Sequence, residues 1–143
     1  MKNLVCLFLL ATATSVSVNA QDVKSGNVPA SVKSALLKKY PAAKNATWEK
    51  EKKNFEANWG GKSGEENSVQ FTPSGKFIEI VKAILVSELP KPVSAYVNQH
   101  YKGAKIAEAG KVTDAEGKIF YEAEVNRKDI IFDENGNFVK AEH

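Results

Sequence analysis

The chain repeats itself, and this duplication limits what it can fold into more than any other feature. Placing Val28-Pro29 over Leu89-Pro90, a shift of 61 residues, puts Val32 on Val93, Leu36 on Val97, Tyr40 on Tyr101, Ala43 on Ala104, Lys44 on Lys105 and Ala46 on Ala107. The same shift puts Phe71 on Phe132, Gly75 on Gly136 and Phe77 on Phe138. Between these blocks the match slips: Phe55-Glu56-Ala57 aligns with Tyr121-Glu122-Ala123 at a shift of 66. Self-similarity at a fixed period marks a repeated supersecondary unit. The copies span residues 28–88 and 89–143, and they must differ by compensating insertions on either side of the slipped block.

Each copy opens with a helix pattern. Val32, Leu36 and Tyr40 recur every four residues, as do Val93, Val97 and Tyr101, which stacks one apolar stripe along one face. Pro29 and Pro90 suit a helix start, where a missing N–H costs little. Pro41 stops the first helix and Gly103 caps the second. Strands follow. Phe55, Ala57 and Trp59 alternate with Glu56 and Asn58, and Tyr121, Ala123 and Val125 alternate with Glu122 and Glu124. Period two separates a buried face from a wet one. Turn signals sit at Thr72-Pro73-Ser74-Gly75, Asp114-Ala115-Glu116-Gly117 and Asp133-Glu134-Asn135-Gly136. Pro73, where an acidic residue would be commoner, leaves the register of the first of these open. Gly60, Gly61, Ser63 and Gly64 mark a longer loop in the first copy alone. Residues 76–86 are long for one strand and carry the sheet toward the repeat boundary. The fold class expected is α+β: a tandem duplication forming one antiparallel sheet with two helices packed against it, as a single domain over residues 28–143. Both copies are expected to feed one core, with neither stable alone, because a unit of about 60 residues is marginal by itself.

The start of the chain reads as an export signal. Lys2 precedes the apolar run Leu4–Ala11, which is too short to span a bilayer, and Val18-Asn19-Ala20 fits a cleavage site before Gln21. Residues 1–20 are therefore expected to be a cleaved signal peptide, with 21–27 as a short linker. Cys6 lies inside the apolar run, away from the position a lipoprotein signal requires. Cleavage leaves 123 residues with no cysteine, and no later segment is long and apolar enough to span a membrane. The expected location is the periplasm or the exterior. Loss of Lys2 lowers the net charge from +3 to +2, too weak and too mixed for a nucleic-acid binder. Lys33, Lys38, Lys39, Lys50, Lys52 and Lys53 alternate with glutamates and read as a solvated face.

A helix ending in Tyr after a hydrophobe-Pro pair, then Ala-Lys, a strand and Phe-x-x-x-Gly-x-Phe, is present twice. The stretches are VPASVKSALLKKYPAAKNATW with FTPSGKF, and LPKPVSAYVNQHYKGAKIA with FDENGNF. This set resembles the PepSY-like family, periplasmic proteins of Bacteroidetes that are similar in fold to the β-lactamase-inhibitor protein. The resemblance covers roughly residues 28–143. It implies a protein-binding or inhibitory role without catalysis, and it brings no site residues with it.

The residues themselves carry little catalytic chemistry. A nucleophile needs a base within reach, and the mature chain has no Cys and only His100 and His143. His100, next to Tyr101 on the second helix, reads as a solvated or capping side chain. No Gly-x-Ser-x-Gly elbow is present, and nothing approaches a zinc ligand set. The segment 133–136 lacks the spacing of a calcium loop and reads as a turn. Glu56, Glu122 and Glu124 would have to share a cleft to act as paired carboxylates; alternating strand glutamates are ordinarily a solvent face. No cofactor or metal is expected, and the chain is not expected to be an enzyme. Trp48 lacks an aromatic counterpart in the second copy, so it either packs under a helix or anchors a partner beside Lys50 and Lys52, since Trp dominates interface hot spots. The candidate partner-binding surface is Trp48, Lys50, Lys52, Glu122 and Glu124. Three readings follow: a periplasmic module that binds an unidentified protein partner, with inhibition of a hydrolase or peptidase as one such role; a small-molecule binder or sensor with a pocket between helices and sheet; and an enzyme using strand carboxylates.

Overall fold

The structure, a computed structural model, describes residues 20–142. The signal-peptide reading falls almost wholly on residues 1–19 and lies outside the described residues. Two helices, α1 (Ala30–Lys39) and α2 (Lys91–His100), accompany nine strands: β1 (Gln21–Asp22), β2 (Thr47–Glu51), β3 (Asn54–Trp59), β4 (Asn67–Phe71), β5 (Phe77–Ile84), β6 (Ile106–Asp114), β7 (Ile119–Val125), β8 (Lys128–Asp133) and β9 (Phe138–Glu142). The fold is α+β and antiparallel, and strand order in the sheet is the order in the chain. Two compact units meet within β5, one ending at Ile80 and the other beginning at Val81. This boundary lies eight residues before the one expected at 88/89.

In the first unit, Val32 and Leu36 of α1 are fully buried against Trp48, Phe55, Ala57, Val69, Phe71 and Ile80. In the second, Val93 and Val97 of α2 pack on Ala109, Ala123, Val125, Ile130 and Phe132. The helix stripes read from the sequence are thus the buried ones. The single core expected from both copies is instead two hydrophobic clusters, one per unit, with β5 giving Ile80 to the first and Ile84 to the second. Residues 21–23, expected as part of a linker over 21–27, are built in. Gln21 pairs with Lys50 and Asp22 with Glu49, the Val23 amide donates to the Trp48 carbonyl (2.8 Å), and Val23 packs on the first cluster. A two-residue strand has no period to read, so backbone pairing alone holds it.

The helix ends follow from local chemistry. Pro29 and Pro90 sit at the N-cap positions with φ −54 in both copies. Tyr40 and Tyr101 close the helices, their amides donating to the Leu36 and Val97 carbonyls. Gly103 adopts φ +75 just beyond α2, the left-handed conformation that glycine reaches without penalty.

The slip between the copies has a simple origin. Seven residues (60–66) join β3 to β4, whereas two (126–127) join β7 to β8. In compensation the β6–β7 hairpin is longer than β2–β3: Trp48 faces Ala57, but Ala109 faces Ala123. Asn126 and Arg127 both take positive φ (53 and 64), as a two-residue hairpin turn requires.

The three turns beginning at Thr72, Asp114 and Asp133 share one geometry. The glycine amide at the fourth position donates to the first residue's carbonyl, and the first residue's amide donates to the fifth residue's carbonyl. The first side chain also accepts from the fifth amide: Thr72 Oγ1 from Lys76, Asp114 Oδ1 from Lys118, Asp133 Oδ1 from Asn137. Pro73 therefore leaves the register undisturbed, since Thr72 supplies the oxygen that an aspartate supplies elsewhere. Asn137 hydrogen bonds hold the Asp133 carboxyl below its ordinary pKa.

Candidate functional site

Alternation along the strands sends one set of side chains to the helix and the other to the opposite face, and that opposite face carries the unusual chemistry. In the first unit, Trp48, Phe55, Ala57, Val69 and Phe71 point toward α1. The intervening residues are Glu49, Glu51, Asn54, Glu56, Asn58, Ser68 and Gln70, and every one of them is buried. Register sets them side by side. Glu49 faces Glu56, which faces Gln70 on the next strand, and Glu51 faces Asn54. Gln70 Nε2 donates to Glu51 Oε2 at 2.9 Å. Glu49 Oε2, Asn54 Oδ1 and Gln70 Oε1 are buried and accept no hydrogen bond from the protein. Burial raises the Glu49 pKa, and the nearby charges of Asp22 and Glu65 raise it further.

The second unit repeats the theme with different residues. Glu108, Glu124, Asp129 and Glu142 form a row across four strands. Beside it lie Glu122, Ile131 and Lys140, again in register. Lys140 makes an ion pair with Glu142. Burial, then Glu124, and to a smaller extent Glu142 and Glu108 push the Asp129 pKa up to about 6, against a hydrogen bond with Glu122 that lowers it.

The structure divides the surface expected from the sequence. Trp48 is 6% exposed and belongs to the first core, so it is not an accessible anchor. Its repeat position is Ala109, buried at the equivalent place in the second core, and the larger side chain fills the first unit in a way the second does not need. Lys50 is exposed on the helix side, with its ammonium 5.7 Å from the Phe55 ring centroid. Lys52 is exposed at a turn, with φ +54. Glu122 and Glu124 are buried, on the face of the second unit that is turned away from α2.

Sequence reasoning missed Glu49, Glu51, Asn54, Gln70, Glu108, Asp129 and Glu142. Their signal was present as the polar half of each alternation, but polar alternation ordinarily marks a solvated face. Nothing in one sequence tells that Glu49, Glu51, Asn54 and Gln70 are buried. His100 is exposed, donates from Nδ1 to the Tyr96 carbonyl (2.9 Å) and stacks on the Tyr96 ring, as a capping side chain would. Tyr96 also stacks on Phe138, which is half-exposed on β9. Two surface clefts lie in the second unit: one of about 310 Å³ lined by Val97, Asn98, Lys105 and Ile106, and one of about 440 Å³ between the turns at 116–118 and 133–135. Among the described residues, no three His, Cys, Asp or Glu side chains are placed to hold a metal ion, and no helix is long and apolar enough to cross a membrane.

Comparison with known proteins gives the same architecture. A periplasmic protein from Bacteroides eggerthii, so described in its crystal structure with the qualifier "putative", is similar at 22% identity and a TM-score of 0.69, over 82% of this chain and 89% of that one. A DUF2874 family protein from Bacteroides uniformis is similar at 21% identity and 0.66, over 79% and 87%. A BLIP-like protein from Bacteroides fragilis is similar at 21% identity and 0.61, over 80% and 85%. At these identities the likeness shows the fold. No functionally curated protein matches. The family described as "Putative beta-lactamase-inhibitor-like, PepSY-like" matches twice, over residues 14–78 and 59–140, in keeping with the duplication. The chain belongs to this PepSY-like, β-lactamase-inhibitor-like family.

Proposed function

We propose that this protein is a periplasmic, non-enzymatic protein-binding module, exported by cleavage of residues 1–20, that acts by presenting, in each unit, the strand face turned away from that unit's helix. Inhibition of a hydrolase or peptidase is the role this reading favours, in line with the family description. The carrying observation is the ordered polar face itself. Glu49, Glu51, Asn54, Glu56 and Gln70 in the first unit, and Glu122 and Glu124 in the second, are held in strand register and shielded from water. A solvated sheet face pays again to shed water and to order its side chains on binding. A face already ordered and poorly hydrated has lost that freedom at folding, so more of its interaction energy appears as affinity. The periplasmic location is supported by the export pattern at the N-terminus and by the description of the Bacteroides eggerthii relative.

The test is affinity capture from periplasmic extract on immobilised protein, with mass spectrometry, run beside a Glu124→Lys variant whose folding is checked by circular dichroism. One or a few proteins should be retained by the wild type and lost from the variant. Retention of nothing, or of the same proteins by both, would sink the reading.

A further inference from the structure

We propose that the cleft between α2 and the short helical turn at Val86–Glu88 is a binding site for a small amphiphilic monocarboxylate of the medium-chain fatty-acid class. The cleft belongs to the second unit alone, on its helix side, and stands apart from the protein-binding reading above. Its volume is about 310 Å³, at the lower end of the size range of small-molecule sites.

The internal repeat shows what opened it. The 61-residue shift that aligns the two helices also puts the turn Ser25–Asn27 on Val86–Glu88. In the first copy Lys33 of α1 reaches that turn, its ammonium donating to the Ser25 carbonyl at 3.2 Å. Its four-carbon stem thus spans the gap between helix and turn. The equivalent residue of α2 is Ser94, whose single carbon and hydroxyl are too short to do so. The gap is then the cleft, and Ser94 lines it.

The same comparison gives the polarity. Ser25 and Asn45 of the first copy become Val86 and Ile106, and both line the cleft. With Val97, which is 2% exposed, and the half-buried Ala104 they form an apolar wall. Leu37 becomes Asn98, one helical turn beyond Ser94, so two uncharged donors stand along the α2 side. Lys105, equivalent to Lys44, is the one charged residue in the lining. It is exposed, and among the described residues no carboxylate pairs with it.

Chemistry then selects the ligand. The apolar wall takes a hydrocarbon tail. One ammonium with neutral donors nearby takes one carboxylate through charge-assisted hydrogen bonds. The lining holds no acidic side chain to receive a cation, so an amine or a zwitterionic amino acid would leave its ammonium unpaired. A dianion would meet a single opposite charge.

The experiment is a two-dimensional NMR titration of the purified protein with hexanoate, octanoate, octanol and octylammonium, each below its aggregation threshold. The methyl signals of Val86, Val97 and Ile106 and the side-chain NH2 signal of Asn98 should move and saturate with octanoate. Octanoate should bind at least about fivefold more tightly than hexanoate, because two further methylenes leave water. It should also bind more tightly than octylammonium. Lys105→Gln should weaken octanoate by about threefold and leave octanol unchanged. Ser94→Met, which restores an unbranched stem without a charge, should weaken both octanoate and octanol by at least about fivefold. Circular dichroism reports whether each variant keeps its fold, and the comparison of octanoate with octylammonium stands on the wild type alone. No saturable movement at the cleft signals, equal movement at Leu37 in the first copy, or octylammonium binding as tightly as octanoate would each overturn the proposal. So would an unchanged octanoate affinity in either folded variant.

Discussion

Gly75 and Gly136 show how a single missing Cβ sets the geometry of each copy. Both have positive φ, +85 and +83. A Cβ on Gly75 would stand 2.7 Å from the Ser31 carbonyl oxygen of α1, and one on Gly136 would stand 3.0 Å from Pro90 Cβ and 3.2 Å from Pro92 Cβ. The turn glycine thus doubles as the surface on which the start of the helix rests, which explains why Phe-x-x-x-Gly-x-Phe recurs. The flanking phenylalanines meet edge to face in both copies, 6.0 Å apart for Phe71 and Phe77 and 6.5 Å for Phe132 and Phe138. Gly75→Ala should destabilise by about 2 kcal/mol or more, combining a left-handed backbone with a backbone clash. Urea denaturation measures it, and a change below about 0.5 kcal/mol would contradict the packing described. Asp129 makes the second residue-scale prediction. Its pKa is raised to about 6 by burial and by Glu124, so the folded state holds a proton that the unfolded chain has released. Stability is therefore highest below the ordinary carboxylate range and falls as pH rises toward 6. Asp129→Asn should remove that loss and raise the melting temperature at pH 8 by a few degrees, corresponding to about 1 kcal/mol after solvent screening, with less gain at pH 4. An equal effect at both pH values would show that the carboxyl is not the source.

Among the elements, the two helices were the most legible. Their apolar stripes are a property of spacing alone, and Val32, Leu36, Val93 and Val97 are all buried as that spacing requires. The turns at 72, 114 and 133 were legible for the same reason, since their glycines and short polar side chains satisfy local backbone demands. The strand β1 was not legible, because two residues held only by pairing to β2 carry no pattern. The loop 60–66 is the element that breaks the symmetry. It joins β3 to β4 where the second copy uses Asn126-Arg127. Replacing residues 60–66 with Asn-Gly should leave the fold intact and change stability by no more than about 1 kcal/mol, because loop-closure entropy varies slowly with length. Loss of cooperative unfolding in that variant would mean that the loop carries packing beyond its Glu66–Gly60 and Asn67–Trp59 hydrogen bonds.

At the scale of the whole molecule, the duplication is expected to feed one core, and two separate hydrophobic clusters form instead. The boundary within β5 means that the second repeat alone is incomplete. A fragment of residues 89–143 lacks Ile84, which packs on the second cluster, and a chain of that length has little core to spare. It should show no cooperative thermal transition by circular dichroism; a sharp transition would assign Ile84 and its strand no part in stability. The amino-acid sequence by itself determined the repeat, the helix stripes, the turn positions and the family, because each rests on spacing along one chain or on φ preferences at one residue. Only the tertiary structure decided that Trp48 is core rather than surface, that residues 21–22 form a strand, and that Glu49, Glu51, Glu56, Gln70, Glu122 and Glu124 are buried. Those outcomes depend on which side chains lie across the strands from one another. The carboxylates and amides of the candidate face are the plainest case, since any one of them alone would have been an ordinary solvated residue.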